Sequence, residues 1–272
     1  MTRTAVITIA HGRHEHARRQ AEALGLSSRP VDDRILVTMD DPDLAALAGT
    51  GAHVIRLSAD PEGLPLARAR NTGAAAAIER GADVLIFLDV DCLPGTELIG
   101  AYADAATAPG TAERLLSGPV TYLPPASPGG YDLGSLAGMD RPHPARPAPA
   151  PGEVVHGGDP NLFWSLSFAL TAATWARLGG FCERYVGYGG EDTDFGQTAH
   201  ARGVEMAWIG SARAYHQHHA VESPPVRHVD AILRNGAIFH DRWGWWPMAG
   251  WLDAFVERGL VVQTDDGGYR RV

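Results

Sequence analysis

A continuous apolar run, Val84 to Leu88, is the strongest feature of the hydrophobic pattern along the chain. Its length and its β-branched and aromatic side chains predict a strand that is buried on both faces, and Pro94 stops the extended segment soon afterwards. Asp89 and Asp91 follow the run directly. Because alternate residues of an extended chain face the same side, both carboxylates are predicted to converge on one hard divalent cation. The alternative for so short a motif is a strand that ends in a polar turn.

Strand-like and helix-like patterns alternate in the part of the chain that precedes this run. Apolar runs predict strands at 5–10, 34–39 and 53–57, and helical spacing predicts helices at 14–24, 43–48 and 66–78. Such alternation is typical of βαβ units, so the fold class predicted is α/β, with a mostly parallel central sheet flanked by helices. Ligands of these sheets bind outside the carboxyl ends of the strands, where Ala10, Arg13 and Asp40 also lie. Loops are polar in any case, so chance alignment is the alternative.

The pattern changes after Asp91. It predicts a helix at 96–107, strands at 114–123, 205–209 and 212–219, a helix at 226–243, and a short helix at 253–260 before a polar terminus. Proline, glycine and alanine dominate residues 127–152, which predicts an irregular surface excursion. An interdomain linker is the alternative. We favour a loop within one unit, because the motifs on its two sides complement each other.

Composition narrows the class of partner and the compartment. The formal net charge of −9 argues against a general binder of nucleic acids or anionic membranes, which usually carries a basic excess. Cys92 and Cys182 are far apart, fit no zinc or CxxC spacing, and indicate packing in a reducing cytosol. No apolar stretch approaches the roughly 20 residues of a membrane span, and the first strand begins too early for a signal peptide. We therefore expect a cytoplasmic protein without a transmembrane segment.

A second polar constellation lies in the C-terminal half. Paired glycines precede Glu191 and Asp192, which enter a predicted helix together with Asp194. Three acids at a helix N-terminus can be dipole complement and capping alone. Further on, His216 and His218 share one face of an extended segment, so one or both are candidate metal ligands. His219 is expected to be solvated.

Four motifs in this order resemble the GT-A glycosyltransferases of the family 2 type, over roughly residues 4–220. The motifs are Leu66 to Asn71, Asp89-Val90-Asp91, Gly189 to Asp192, and Tyr215-His216. The C-terminal segment is similar to that of the galactosyltransferases and the polypeptide GalNAc-transferases. The resemblance implies a GT-A (Rossmann-like) sheet with an acceptor-side subregion and a helical C-terminal tail. Two departures are Cys92, where a polar residue would be usual, and the three neighbouring histidines.

The resemblance also implies a division of the chain. Residues 1–220 are expected to form the catalytic domain, with a nucleotide-binding half at about 1–95 and an acceptor and metal half at about 96–220. Residues 221–272 are expected to form a helical extension packed on it. The tryptophans between 245 and 251 are predicted to pack this extension rather than to bind a sugar, and Trp164 is the better acceptor-side candidate.

The activity implied is transfer of a sugar from a nucleotide-diphosphate sugar, a UDP-sugar above all, to an acceptor hydroxyl with inversion. Retention is the alternative, because the similar C-terminal segment occurs in both stereochemical classes. The acceptor would be a small molecule, a glycan or a glycolipid precursor. The metal implied is Mn²⁺ or Mg²⁺, held most directly by Asp91, with Asp89, His216 and His218 as further candidates. Asp192 is expected to be the catalytic base, and Glu191 to bind hydroxyls. The residues expected to contact the donor are Ala10, Arg13, Asp40, Arg70, Asn71, Asp89 and Val90.

Two other functions remain open at this stage. A sugar nucleotidyltransferase shares the nucleotide-binding sheet, but it usually needs several glycines after the first strand, and Ala10-His11-Gly12-Arg13 lacks them. A non-catalytic nucleotide- or carbohydrate-binding module predicts a broken carboxylate set. The chain keeps the acids at positions 89, 91, 191 and 192.

Overall fold

The computed structural model describes residues 2–47 and 51–272. Its strands are β1 (Thr4–Ala10), β2 (Asp33–Met39), β3 (Ala52–Leu57), β4 (Val84–Leu88), β5 (Cys92–Pro94), β6 (Leu115–Ser117), β7 (Val120–Tyr122), β8 (Val154–His156), β9 (Ser167–Thr171), β10 (Met206–Ile209), β11 (Ala214–His216), β12 (Val261–Gln263) and β13 (Tyr269–Arg271). Its α-helices are α1 (His14–Leu24), α2 (Pro42–Leu47), α3 (Leu66–Glu79), α4 (Leu98–Ala105), α5 (Ala172–Leu178), α6 (Glu191–Ala201), α7 (Val229–Trp243) and α8 (Ala249–Glu257). The helix predicted at 43–48 is α2, and Ala48 lies outside the described residues.

The central sheet has eight strands in the order β3-β2-β1-β4-β9-β6-β10-β8. The first four strands are parallel, β9 runs antiparallel to both neighbours, and β8 is an antiparallel edge. Every residue of β4 is buried, because α3 packs on one face of the sheet and α4 on the other. The predicted fold class, α/β with a mostly parallel central sheet flanked by helices, is therefore confirmed.

Helix α3 lies unusually close to the sheet. A side-chain carbon added at Gly73 would come within 2.5 Å of Cγ2 of Ile7 on β1, so only glycine permits this approach. The helix is otherwise rich in alanine, which favours helix formation and places only small side chains on its buried face. The close packing fixes the height of Arg70, one turn before Gly73, at the carboxyl edge of the sheet.

The single strand predicted at 114–123 is two strands in different sheets. β6 belongs to the central sheet, and β7 belongs to a three-stranded sheet in the order β5-β11-β7. The chain turns at Gly118-Pro119, where a Cβ on Gly118 would lie 1.8 Å from the carbonyl oxygen of Ala212. The strand predicted at 212–219 is also shorter, since β11 ends at His216. Residues 127–152 contain one short 3₁₀ turn, Leu136–Met139, and are otherwise irregular, as predicted.

The C-terminal part has a hydrophobic core of its own that joins α7, α8 and the last strands. Val229, Ile232, Leu252, Phe255 and Val261 form this core. The polar terminus predicted from the sequence is instead an antiparallel hairpin of β12 and β13, which packs against α7 and α8. None of the helices in the described ranges is long and apolar enough to cross a membrane.

Candidate active site

The chain turns tightly directly after β4, between Asp89 and Cys92. The backbone N–H of Cys92 donates to the carbonyl oxygen of Asp89 (2.8 Å), which closes the turn. Gln20 of α1 donates from Nε2 to the carbonyl oxygens of Asp89 (2.7 Å) and Cys92 (2.9 Å). These two hydrogen bonds hold the turn against α1. The prediction of one shared cation rested on an extended chain. The turn instead gives the two carboxylates different neighbours.

Asp89 pairs with Arg70. Nη2 of Arg70 lies 3.1 Å from Oδ1 of Asp89, and Nη1 lies 3.4 Å from Oε1 of Glu191. The guanidinium is only 4% exposed and also covers the ring of Phe181, 5.3 Å from its centroid. Burial alone would lower the pKa of Arg70, but the two carboxylates raise it. Arg70 is thus a fixed cation that joins the strand-end motif to α6.

Asp91 lies in a cluster with two histidines. Its Oδ2 is 3.4 Å from Nε2 of His216 and 3.4 Å from Nε2 of His219, and within the described ranges these three side chains form a group whose ligand atoms all lie within 4.8 Å of one another. Burial would raise the pKa of Asp91, but hydrogen bonds to the two histidines hold it well below its usual range. The backbone N–H of Gln217 donates to the carbonyl oxygen of Asp91 at 2.7 Å, which fixes the loop beside the turn.

The structure differs from the prediction on the second histidine. His218 is exposed and is not part of the cluster, whereas His219, expected to be solvated, is. The reason is that β11 ends at His216, so the alternation of an extended strand no longer governs the following residues. His16 of α1 also lies close, its ring centroid 6.2 Å from that of His219.

The paired acids stand at the first turn of α6. Gly190 precedes the helix with φ +91°, a left-handed conformation that favours glycine and turns the chain so that Glu191 and Asp192 enter the helix together. Burial raises the pKa of Glu191 to about 7, with a further rise from the Asp192 charge, and burial also raises the pKa of Asp192. Oδ1 of Asp192 accepts from the N–H of Thr193 (2.7 Å), while Oδ2 accepts no hydrogen bond from the described residues.

The third acid of this helix has a structural environment. Oδ1 of Asp194 accepts from Nε of Arg242 (2.6 Å), Nε1 of Trp243 (2.8 Å) and the hydroxyl of Tyr185 (3.1 Å). Asp194 therefore ties α6 to the end of α7. A structural role in capping and packing is the alternative that the sequence leaves open for all three acids, and it is the role that Asp194 has.

Asp89 at the end of β4 and the paired acids Glu191 and Asp192 line one cleft of about 480 Å³. The size lies in the range of roughly 300–1,000 Å³ that is usual for ligand sites. Aromatic and sulfur side chains make up much of the wall. The lining includes Arg70, Asp89, Tyr122, Trp164, Tyr188, Glu191, Asp192, Met248 and Trp251. The Tyr122 ring lies 4.7 Å from that of His216, which connects the cleft with the histidine cluster.

The remaining residues predicted to contact the donor lie in varied environments. Ala10 and Val90 are buried in one small apolar cluster at the sheet edge. Arg13 is exposed at the start of α1, and Asp40 is exposed with φ 49°. The neighbouring Asp41 makes the contacts at this edge, accepting from the N–H of Gly12 (2.7 Å) and Leu44 (2.9 Å).

Asn71 does not line the cleft. Its side chain accepts from the N–H of Phe181 (2.8 Å) and donates to the carbonyl oxygen of the same residue (2.9 Å). It therefore fixes the segment that leads to Gly189 and Gly190. Trp164, the candidate for the acceptor side, lines the cleft. Trp251, which is predicted to pack the C-terminal extension, lines the cleft as well.

Sequence comparison finds similarity to glycosyltransferases. A profile of the family described as the N-terminal domain of galactosyltransferase matches residues 160–220. The validoxylamine A glucosyltransferases of Streptomyces hygroscopicus subsp. jinggangensis (strain 5008) and subsp. limoneus are each 31% identical to the chain over 194 residues. These matches cover 63% of this chain and 45% and 42% of the two proteins, so the chain spans less than half the length of the curated relatives it matches.

Solved structures share the fold at low sequence identity. The crystal structure of GalNAc-T7 with UDP, GalNAc and Mn²⁺ has a TM-score of 0.62 and 15% identity, over 95% of this chain and 50% of that one. The crystal structure of residues 1–349 of S. aureus TarS has a TM-score of 0.57 and 10% identity, over 87% of this chain and 65% of that one. Together with the sheet topology, these matches confirm the predicted fold: the chain has the fold of the GT-A glycosyltransferases.

Proposed function

We propose that the protein is a metal-dependent glycosyltransferase that moves a sugar from a nucleotide-diphosphate sugar, a UDP-sugar first of all, to an acceptor hydroxyl with inversion. One observation carries the proposal. A carboxylate and two imidazoles, Asp91, His216 and His219, form a group beside a cleft that also contains the acids Glu191 and Asp192. An ion site and a base candidate next to one ligand-sized cleft suit group transfer better than binding alone.

The donor set fits a divalent transition ion. One carboxylate that stays ionised and two imidazoles offer mixed oxygen and nitrogen ligands, which suit Mn²⁺ better than the oxygen-only preference of Mg²⁺. When bound, such an ion would offset the negative charge that develops on the leaving diphosphate. GalNAc-T7, which shares the fold, was solved with UDP and Mn²⁺. We extend both ligands to this chain as part of the proposal.

Arg70 and Asp89 act together on the donor side. Because the guanidinium is buried between two carboxylates, its first task is to hold Asp89 in place at the cleft wall. Asp89 keeps hydrogen-bond acceptor capacity for hydroxyls of the donor. The exposed Arg13, at the sheet edge, remains available to phosphate oxygens.

Asp192 serves as the general base. The acceptor oxygen forms a bond to the anomeric carbon while the bond from that carbon to the diphosphate oxygen breaks, and the electron pair leaves with the diphosphate. The acceptor proton passes to the carboxylate of Asp192, whose Oδ2 accepts no other hydrogen bond from the described residues. A raised pKa suits a base that works near neutral pH. Attack from the face opposite the diphosphate inverts the anomeric configuration.

The test is a screen of donors with product analysis. UDP-glucose, UDP-galactose, UDP-N-acetylgalactosamine and GDP-mannose are supplied with Mn²⁺ or Mg²⁺, and thermal shift and donor hydrolysis are recorded. Validoxylamine A, named in the activity of the related glucosyltransferases, is a first acceptor to try. NMR of the product reports the anomeric configuration.

The outcomes separate the alternatives. Stabilisation and hydrolysis with one UDP-sugar and a metal are expected. No stabilisation by any nucleotide diphosphate with metal present would contradict the proposal and favour a non-catalytic module. Release of pyrophosphate from a nucleoside triphosphate and a sugar phosphate would instead indicate a nucleotidyltransferase.

A further inference from the structure

Aromatic side chains from the C-terminal part enter the cleft. Tyr188, two residues before Gly190, lines the cleft together with Trp251 and Met248. Met248 precedes α8, and Trp251 lies in its first turn, beyond the segment that matches the galactosyltransferase family. The extension therefore forms part of the cleft wall next to the paired acids.

Three rings in this region form a stack. The ring of Tyr188 lies 4.6 Å from that of His228 at an interplanar angle of 18°, and 5.7 Å from that of Trp251 at 29°. Tyr188 contacts both other rings, so Trp251 stands at one end of the stack. The arrangement is rigid, because Trp251 packs on the core of α7 and α8. The sulfur of Met248 also lies 2.8 Å from the place where a Cβ of Gly189 would be.

Part of the surface of these aromatic side chains remains exposed in spite of their packing. Tyr188 is 40% exposed and Trp251 is half-buried, whereas Leu252 and Phe255, which follow Trp251 on α8, are fully buried. On the same cleft, Tyr122 is 47% exposed and Trp164 is half-buried. Apolar surface that is held open in a cleft beside charged groups indicates a ligand with an apolar face and a polar rim.

A pyranoside or a cyclitol has this chemistry. The C–H groups of such a ring form its faces, and its hydroxyls lie around the rim, so the face packs on an aromatic ring while the rim reaches hydrogen-bond acceptors. The Tyr188 ring belongs to the segment that leads into Asp192, the base candidate. Because Tyr188, Trp251 and Asp192 line the same cleft, a ring on this aromatic surface lies on the side of the base candidate.

We propose that Trp251 and Tyr188 form a stacking platform for the ring of the acceptor, a neutral pyranoside or cyclitol, and that Trp251 of the C-terminal extension is a specificity-determining residue. This inference rests on the proposed glycosyltransferase function, whose acceptor side it describes. The extension then supplies both the packing of the last helices and a substrate contact.

The test compares three variants by binding and by kinetics. W251A removes the platform, and W251F keeps an aromatic face. W245A is the matched control, because Trp245 is a partly exposed tryptophan of the same extension that packs against Phe239, outside the cleft. Saturation-transfer NMR with methyl α-D-glucopyranoside and with myo-inositol measures ring binding without turnover. Circular dichroism and thermal unfolding establish that each variant is folded.

Wild type and W245A should transfer saturation to the C–H protons of at least one probe, and W251A should bind that probe about tenfold more weakly, with W251F in between. Where a donor and an acceptor have been found, W251A should raise the KM of the acceptor by about the same factor and more than the KM of the donor. Equal saturation transfer in folded W251A and wild type, or none in wild type with either probe, would overturn the inference. Donor hydrolysis tests the proposed function separately, so its absence leaves the NMR comparison valid.

Discussion

Nη1 of Arg70 lies 3.4 Å from Oε1 of Glu191, although 121 residues separate them in the chain. The same guanidinium reaches Asp89, so one buried cation links the end of the central strand to the first turn of α6. The two halves of the candidate active site are thus joined by a single side chain. Several expected effects of substitution depend on this link.

Replacing Arg70 by methionine should destabilise the protein strongly. Two carboxylates would lose the cation that compensates their burial, and breaking a buried pair in this way typically costs about 3–5 kcal/mol of unfolding free energy. Chemical denaturation measures the change. Arg68→Met is the control on the same helix. Within the described part of the chain Arg68 donates only to the carbonyl oxygen of Ser58, a bond whose loss costs about 1 kcal/mol. Equal losses in the two variants would contradict the role of the link.

Replacing Glu191 by glutamine should stabilise the protein above neutral pH. Since burial raises the pKa of Glu191 to about 7, the folded state binds its proton more tightly than the unfolded state does. The wild type therefore loses stability as the pH rises from about 4.5 through 7, on the order of 3 kcal/mol from this group, and the variant does not. The two proteins should unfold alike at pH 5 and differ at pH 8.5.

Unfolding curves across this pH range provide the check. The exposed Glu79, on α3, gives the matched control, because Glu79→Gln makes the same chemical change outside the cleft. A difference between Glu191→Gln and wild type that shrinks with rising pH would show that the sign is wrong. Such a result would mean that Arg70 keeps Glu191 ionised.

Replacing His219 by alanine should weaken binding of Mn²⁺, and replacing His218 should not. His219 belongs to the group around Asp91, whereas His218 is exposed outside it. Even hydrogen-bond partners of metal ligands are worth about 10–100-fold in affinity, so loss of a ligand should cost at least about tenfold. Calorimetric titration with MnCl₂ gives the two dissociation constants. If His218→Ala were the weaker binder, the arrangement predicted from strand alternation would be correct instead.

The contrast between these two histidines shows where local sequence reasoning ends. The central strand and the acids that follow it could be predicted from the sequence. Burial on both faces leaves a continuous apolar run of a few residues, and polar residues at the carboxyl ends of parallel strands lie at the ligand-binding edge. The alternation of side chains along an extended strand does not hold after Leu88 or after His216, since both strands end sooner than their sequence pattern suggests. The break between β6 and β7 did have a signal, the Gly118-Pro119 pair.

Other parts of the site depend on contacts that no local pattern contains. Gln20 fixes the turn at Asp89 from a helix that lies near the N-terminus, and Asn71 holds the segment at Phe181. Trp251 reaches the cleft only because α8 packs on α7 beside Gly189. Each of these placements follows from tertiary packing, so the sequence predicted a tryptophan-rich extension but not its position.

Replacing Asp194 by alanine should loosen the C-terminal part without removing the chemistry. The hydroxyl of Tyr185, the indole N–H of Trp243 and the guanidinium of Arg242 would lose their common acceptor, at a cost of about 3 kcal/mol. Thermal unfolding should show the loss, while transfer by the folded enzyme persists at low temperature. A variant that is fully stable but inactive would place Asp194 among the reacting groups.

Replacing Asp192 by asparagine should abolish most sugar transfer in a protein that remains folded. The amide keeps the shape of the carboxylate and can still accept from the N–H of Thr193, but it cannot take the proton of the acceptor hydroxyl. The turnover number should fall by about 10²–10⁴-fold, the usual worth of a general base, while the thermal shift with UDP and Mn²⁺ stays near that of wild type. Asp192→Glu serves as the matched variant, because a longer carboxylate retains basicity and should recover part of the rate. If Asp192→Asn kept most transfer activity, the base would have to be Glu191 or a group of the substrate, since no other carboxylate stands at the first turn of α6 beside the cleft within the described residues.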